Sequence, residues 1–404
     1  MRRRGFRRPA AIAAIAGIAA LAACGDSPTD PRTGPDPFPP APDDTLPYVY
    51  AVPERTGDGW ETASLADVGL SESRLGRLID LIRTGVYPRV HALLIVRDGR
   101  LVLEEYFNGL DFEAAVGDSI VGTWTAFDRD TPHNLASVTK SVTSTLVGIA
   151  IDRGLIASVD TAAYDFFPEH ADLRDARKDS ITLRHLLTMT SGLDWDEASH
   201  PYGDPRNDIN ALFSQSDPIR YILAKPAVDP PGTRWIYDGG GTNILGDVVR
   251  RTSGMSLEQF ADTHLFGPLG IAQRAWVRLA PPVTYASGDL RLRPRDMAKL
   301  GQLFLDGGVW NGARIVSAEW VAEATTRMAE TWNPGWGYGY QWWIYEFDVD
   351  GLRYPSFGAR GWGGQLITVL PEQRLVVVQT GGNYLTGDPG DAIVRQFVLE
   401  ALVR

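Results

Sequence analysis

Strand-like sequence sits at both ends of this chain, with helical sequence between, and few folds accept that order. Near the start, residues 91–97 and 101–107 are two apolar, β-branched runs joined at Asp98-Gly99, a dipeptide that favours a tight hairpin. Near the other end, residues 365–370 and 375–379 repeat the pattern around Pro371-Glu372. Residues 337–345 are expected to add a strand, and 391–404 a last amphipathic helix. Between these ends the periodicity is helical, at 140–151, 182–189, 244–251 and 294–305. An earlier helix is expected over 71–83, where Leu75, Leu78, Ile79 and Ile82 share one face. The economical arrangement is an α+β fold: one antiparallel sheet built from both ends, flanked by helices, with a mostly helical region inserted.

The N-terminus carries a targeting pattern. Arg2, Arg3, Arg4, Arg7 and Arg8 precede an apolar stretch over 10–20, too short for a comfortable membrane span. Leu21-Ala22-Ala23-Cys24 then resembles a bacterial lipobox, which implies cleavage before Cys24 and lipidation of it. The alternative is an ordinary signal peptide with a stray cysteine. Cys24 is the only cysteine, so no internal disulfide or cysteine metal cluster is available. Loss of residues 1–23 leaves 34 basic against 50 acidic residues, a net charge of −16. An acidic chain without a basic patch is a poor nucleic-acid partner. The expected division is a signal peptide over 1–23, a Pro/Asp-rich tether over 24–60 and one large domain over 61–404. The expected location is the bacterial envelope, facing the periplasm or exterior, with Gly25 after the cysteine favouring the outer membrane.

Ser137-Val-Thr-Lys140 stands at the start of a long apolar segment with helical spacing. Residues three apart on a helix share a face, so hydroxyl and amine can meet. A serine becomes nucleophilic when a base takes its proton. A lysine can be that base if its surroundings lower its pKa from about 10.4. The chain has four lysines (Lys140, Lys178, Lys225 and Lys299) among 39 basic residues. Arginine cannot do this work, so a lysine here is informative. The spacing by itself occurs by chance in many helices.

Three further segments give it context: residues 181–193 around His185-Leu-Leu-Thr-Met-Thr-Ser-Gly192; Pro231-Gly-Thr-Arg-Trp-Ile-Tyr237 followed by Asp238-Gly-Gly-Gly241; and Gly358-Ala-Arg-Gly-Trp-Gly-Gly-Gln365. Together they resemble the serine hydrolases of the class C β-lactamase and penicillin-binding-protein superfamily, which includes family VIII esterases and 6-aminohexanoate-dimer hydrolases. The resemblance runs from about residue 63 to the C-terminus and implies the β-lactamase/transpeptidase-like fold. It implies that Ser137 is the acylated nucleophile, that Lys140 and Tyr237 share proton transfer, and that Gly361 is the glycine of the third motif. The backbone amides of Ser137 and Trp362 would form the oxyanion hole. Two positions depart from the family. The asparagine of Tyr-x-Asn falls on Gly239, and the third-motif lysine or histidine on Ala359, followed by Arg360. Two roles are open to Arg360: holding a substrate carboxylate, or pointing to solvent.

Other candidates are weaker. His185 lies among leucines and reads as a core histidine rather than a base. No His-Glu-x-x-His or Gly-x-Ser-x-Gly occurs, against a metal hydrolase or an α/β-hydrolase elbow. Residues 194–218 read as a polar lid whose acids are solvated loop charges. Trp195, Trp332, Trp336 and Trp362 either line an apolar acyl or aromatic subsite or simply pack. The expected activity is hydrolysis of a small ester, amide or peptide through a Ser137 acyl-enzyme, with no metal or organic cofactor. D-alanyl-D-alanine carboxypeptidase or weak β-lactamase activity is the alternative within the class. A non-catalytic envelope protein that binds peptidoglycan is the alternative outside it.

Overall fold

The computed structural model describes residues 47–403. The expected signal peptide, Cys24 and the first part of the tether lie outside the described residues. Residues 47–60, read from composition as the end of that tether, lie against the domain. Tyr48 donates from its hydroxyl to Glu105 Oε1 at 2.5 Å, Tyr50 to the Val102 carbonyl at 2.9 Å, and Trp60 is buried.

Both ends of the chain do meet in one sheet. Its nine strands run, in spatial order, Glu61–Thr62, Arg100–Tyr106, Val90–Arg97, Leu375–Gly381, Gln365–Leu370, Leu352–Gly361, Trp343–Val349, Gly337–Tyr338 and Ala329–Glu330. Every pair is antiparallel except the first. The joint between the ends is Val90–Arg97 on Leu375–Gly381, with Leu94 opposite Val378. Asp98 and Gly99 both take positive φ (52° and 73°), the geometry that a two-residue hairpin turn needs.

The central strands are buried at almost every position because both faces are covered, and most of their residues are apolar. Leu94, Val96, Val376 and Val378 enter one core, with the helices Val138–Asp152 and Pro294–Leu305. Leu93, Ile95, Leu375 and Val377 enter the other, with the helix Glu72–Arg83 and the C-terminal segment. That last segment is α-helical over Gly390–Ile393 and widens to a π-turn over Val394–Val398.

Two local expectations differ from the structure. The strand expected over 337–345 is interrupted at Gln341, where φ is 64°. Gln341 is buried there and ties three elements together. Its Nε2 donates to the Leu186 and Leu187 carbonyls, and its Oε1 accepts from Thr242 Oγ1 at 3.0 Å. A hairpin of Asn108–Val116 with Ser119–Ala126 is additional to the expected elements. Its turn meets residues 194–207, where Gly117 bridges Gly203.

Candidate active site

Ser137 caps the helix Val138–Asp152 and follows Ala136, whose φ of 44° lies in the left-handed region. A non-glycine residue there is strained by roughly 1–3 kcal/mol, so its surroundings must hold it. Asn134 Oδ1 accepts from the Ala136 amide at 2.7 Å, and Thr139 Oγ1 donates to the Ala136 carbonyl at 2.6 Å. Asn134 also donates from Nδ2 to Asp289 Oδ1 at 3.0 Å. The helix that follows is buried through Ala150. Its hydroxyls satisfy carbonyls of neighbouring segments: Ser141 donates to Gln341 O, Ser144 to Tyr340 O and Thr143 to Ala286 O.

Lys140 lies one turn along and is 1 % exposed. Its Nζ donates to Ser137 Oγ at 3.1 Å and to the Ser287 carbonyl at 2.9 Å. Tyr237 ends the segment before the helix Gly239–Ser253. Lys140 Nζ lies 4.8 Å from its ring centroid, and its hydroxyl contacts both Ser137 and Lys140. Burial pushes the Tyr237 phenol above its ordinary range, and the Lys140 charge pulls it back. Serine, lysine and tyrosine thus form one cluster shielded from bulk water.

The strand Leu352–Gly361 ends against this cluster. A Cβ on Gly361 would collide with the Leu135 carbonyl and lie 3.1 Å from Ser137 N. Only glycine lets the strand end approach the serine turn this closely. Trp362 follows Gly361 directly, just past the end of the strand. The Trp362 ring is boxed by Phe112, Tyr202 and Tyr384, and its Nε1 donates to the Tyr384 carbonyl at 2.8 Å.

The sequence matches the beta-lactamase family over residues 83–381. The chain belongs to the beta-lactamase family. Its members are hydrolases of the amidase and esterase type. The chain is similar to 6-aminohexanoate-dimer hydrolase of Paenarthrobacter ureafaciens, 28% identical over 75% of this chain and 75% of that protein. It is similar to monacolin J acid methylbutanoyltransferase of Aspergillus terreus, 34% identical over 35% of this chain and only 37% of that protein. Its fold is that of a family VIII carboxylesterase, with a TM-score of 0.61, 21% identity and coverage of 83% of this chain and 99% of that one.

Measured against the beta-lactamase family's motifs, several expected site residues take other roles. Arg360 neither reaches for a substrate carboxylate nor points to solvent. Side chains alternate along a strand, so Ala359 and Gly361 face the serine helix and Arg360 faces the opposite side. There Arg360 is buried, pairs with Asp391 at 2.7 Å and lies over the Trp336 ring. Trp195 is also buried, and it spends its indole N–H on Glu197 Oε2 at 2.8 Å. Trp332 is 44 % exposed, 4.7 Å from the Trp235 ring centroid and 5.9 Å from that of Tyr237, so it stands beside the cluster. His185, expected as a core histidine, is only partly buried. Its Nδ1 accepts from the Thr182 amide at 3.1 Å and caps a short helix. Among the described residues no group of three or more His, Cys, Asp or Glu is placed to hold a metal ion.

Residues 194–218 form a packed wall, and Glu197 within them is not a solvated loop charge. It is 3 % exposed, and its Oε1 lies 3.7 Å from Lys140 Nζ. Its burial depends on Gly239, a position 42 residues further along, so no local pattern around Asp194-Trp-Asp-Glu197 announces it. The lone hint is the missing side chain at 239.

Proposed function

We propose that Ser137 attacks the carbonyl of a small ester or amide and becomes acylated, with Lys140 and Tyr237 handling the proton. The observation that carries this reading is the 3.1 Å hydrogen bond between Lys140 Nζ and Ser137 Oγ, inside a buried cluster completed by Tyr237. The Ser137 proton passes to the Lys140–Tyr237 pair as Oγ bonds the carbonyl carbon. The resulting oxyanion is stabilised by the amides of Ser137 and Trp362. The pair then protonates the leaving group, and water, deprotonated by the same pair, releases the acid.

The preferred substrate carries no carboxylate next to the scissile bond. Ala359 replaces the cation of the third motif, and the charge of Arg360 is directed at Asp391. An uncharged ester with an apolar or aromatic part suits a site flanked by Trp332, and the similarity to a 6-aminohexanoate-dimer hydrolase supports hydrolysis of a small substrate. Cys24 is proposed to carry the lipid that holds the enzyme to the envelope. Incorporation of an alkyne fatty acid into wild type but not into Cys24→Ser tests that anchor.

A fluorophosphonate probe should label wild type and leave Ser137→Ala unlabelled; equal labelling of both ends the nucleophile assignment. Lys140→Arg should lose at least about 100-fold in kcat/KM, since guanidinium cannot accept the proton. On a panel of p-nitrophenyl esters, D-amino-acid amides and nitrocefin, the neutral esters should be turned over fastest. Nitrocefin as the best substrate would overturn the substrate reading.

A further inference from the structure

The buried carboxylate beside the lysine has no part in the family motifs carried onto this chain. Glu197 is held on four sides. Its Oε2 accepts from Trp195 Nε1 at 2.8 Å and from the Gly239 amide at 2.7 Å, and its Oε1 accepts from the Tyr202 hydroxyl at 2.8 Å. The fourth neighbour is Lys140, with Nζ 3.7 Å from Oε1. Both side chains are buried, at 2 % exposure for Lys140 and 0 % for Glu197. No other cation pairs with Glu197 among the described residues. Three neutral donors fix the carboxylate in place, and its charge faces the lysine that bonds the nucleophile.

Gly239 is the reason this space is free. A Cβ there would lie 2.6 Å from Glu197 Oε2 and 2.7 Å from Ile209 Cδ1. The asparagine expected at this position and the glutamate observed beside it therefore exclude each other. Losing the side chain at 239 and gaining a carboxylate from residue 197 are one change in the site.

We infer that Glu197 is a positioning residue for Lys140: it occupies the place vacated at 239, orients the lysine and stabilises the ammonium that forms when Ser137 gives up its proton. This rests on Ser137 and Lys140 acting as proposed above. In the first step the Ser137 O–H bond breaks, Oγ bonds the substrate carbonyl, and the proton adds to Lys140. The new positive charge arises where water cannot solvate it, and the Glu197 carboxylate supplies the counter-charge. Lys140 returns that proton to the leaving group, so Glu197 ends each half-reaction unchanged. The other titratable groups that feel Glu197 are Tyr202, Tyr237, Tyr285, Tyr338 and Asp238.

The test is a kcat/KM pH profile of full-length enzyme on a p-nitrophenyl ester, for wild type, Glu197→Gln, Glu197→Asp and Gly239→Ala. Without the carboxylate, the positive charge that forms on Lys140 loses its buried counter-charge. Glu197→Gln should therefore lower the plateau by roughly 10- to 100-fold and move the acidic limb to lower pH. Glu197→Asp, which keeps the charge, should stay nearer wild type in limb position. Gly239→Ala, which displaces Glu197, should shift the limb as Glu197→Gln does. The same displacement between Asp238→Asn and Asp238→Asn/Glu197→Gln excludes titration of Asp238 as its source. A lowered plateau with an unmoved limb makes Glu197 a packing residue and overturns the inference, as does a wild-type profile in Glu197→Gln. Failure of fluorophosphonate to label wild type would instead remove the Ser137 reading itself.

Discussion

Arg360 shows how much one residue's direction decides. It stands beside the third-motif glycine, where the chain order invites a substrate-binding role. The pleat sends it to the far face, onto Asp391 and the rings of Trp336 and Tyr345. Its substitution should therefore act on stability and not on selectivity. Arg360→Met leaves Asp391 and Asp388 without their cation and should destabilise the fold by about 1–3 kcal/mol, discounted for the partial exposure of both acids. Urea unfolding would measure this. The rate ratio between a neutral ester and its carboxylated analogue should not change; a selective loss on the carboxylated substrate would return Arg360 to the substrate site. Ser137, Lys140 and Tyr237 were legible in the sequence through the resemblance of their flanking motifs, taken together in order and spacing. Glu197 was not, because its burial is created by a glycine distant in the chain.

At the scale of elements, the geometry of the proposed site depends on a strand end meeting a helix start. Gly361 closes on the Leu135–Ser137 turn with no room for a methyl group. Gly361→Ala should push the Trp362 amide away from that of Ser137 and slow fluorophosphonate labelling by roughly 100-fold. It should also lower stability by ~1–3 kcal/mol through overpacking. Labelling at the wild-type rate would mean that the strand end does not set the oxyanion site. The hairpin at 98–99 and the strands around 371–372 were readable because turn chemistry and apolar runs are local. The break at Gln341 was not, because the hydrogen bonds that favour it come from Leu186, Leu187 and Thr242. The hairpin 108–126 also escaped: its alternation is irregular, and it covers Trp362 rather than joining the sheet.

Across the whole molecule, buried ionisable groups oppose one another in their effect on stability. Burial raises the Asp238 carboxyl to about 7, from an ordinary value of 3.8. Between those values the folded form keeps a proton that the unfolded form has released, so stability falls as pH rises and is flat above. Burial depresses His133 to about 4, from 6.5. Between these values the unfolded form binds the extra proton, so stability falls as pH drops. Relative to wild type, Asp238→Asn should gain stability from pH 4 to 7, by up to ~1.4 kcal/mol per pH unit. His133→Asn should gain relative to wild type as pH falls from 6.5 to 4. Denaturant melts across pH would read both, and differences that do not vary with pH would rule these linkages out.

The sequence by itself determined the α+β plan and the serine–lysine–tyrosine set. Hairpin turns, apolar runs and motif spacings act over a few residues and survive in a one-dimensional record. Only the tertiary structure decided which side of the sheet Arg360 occupies and which carboxylate stands behind Lys140. Those outcomes depend on the pleat, on close approach at Gly239 and Gly361, and on burial shared by segments distant in the chain. The proposed catalytic set was therefore legible in sequence motifs, while the carboxylate beside it was placed by packing.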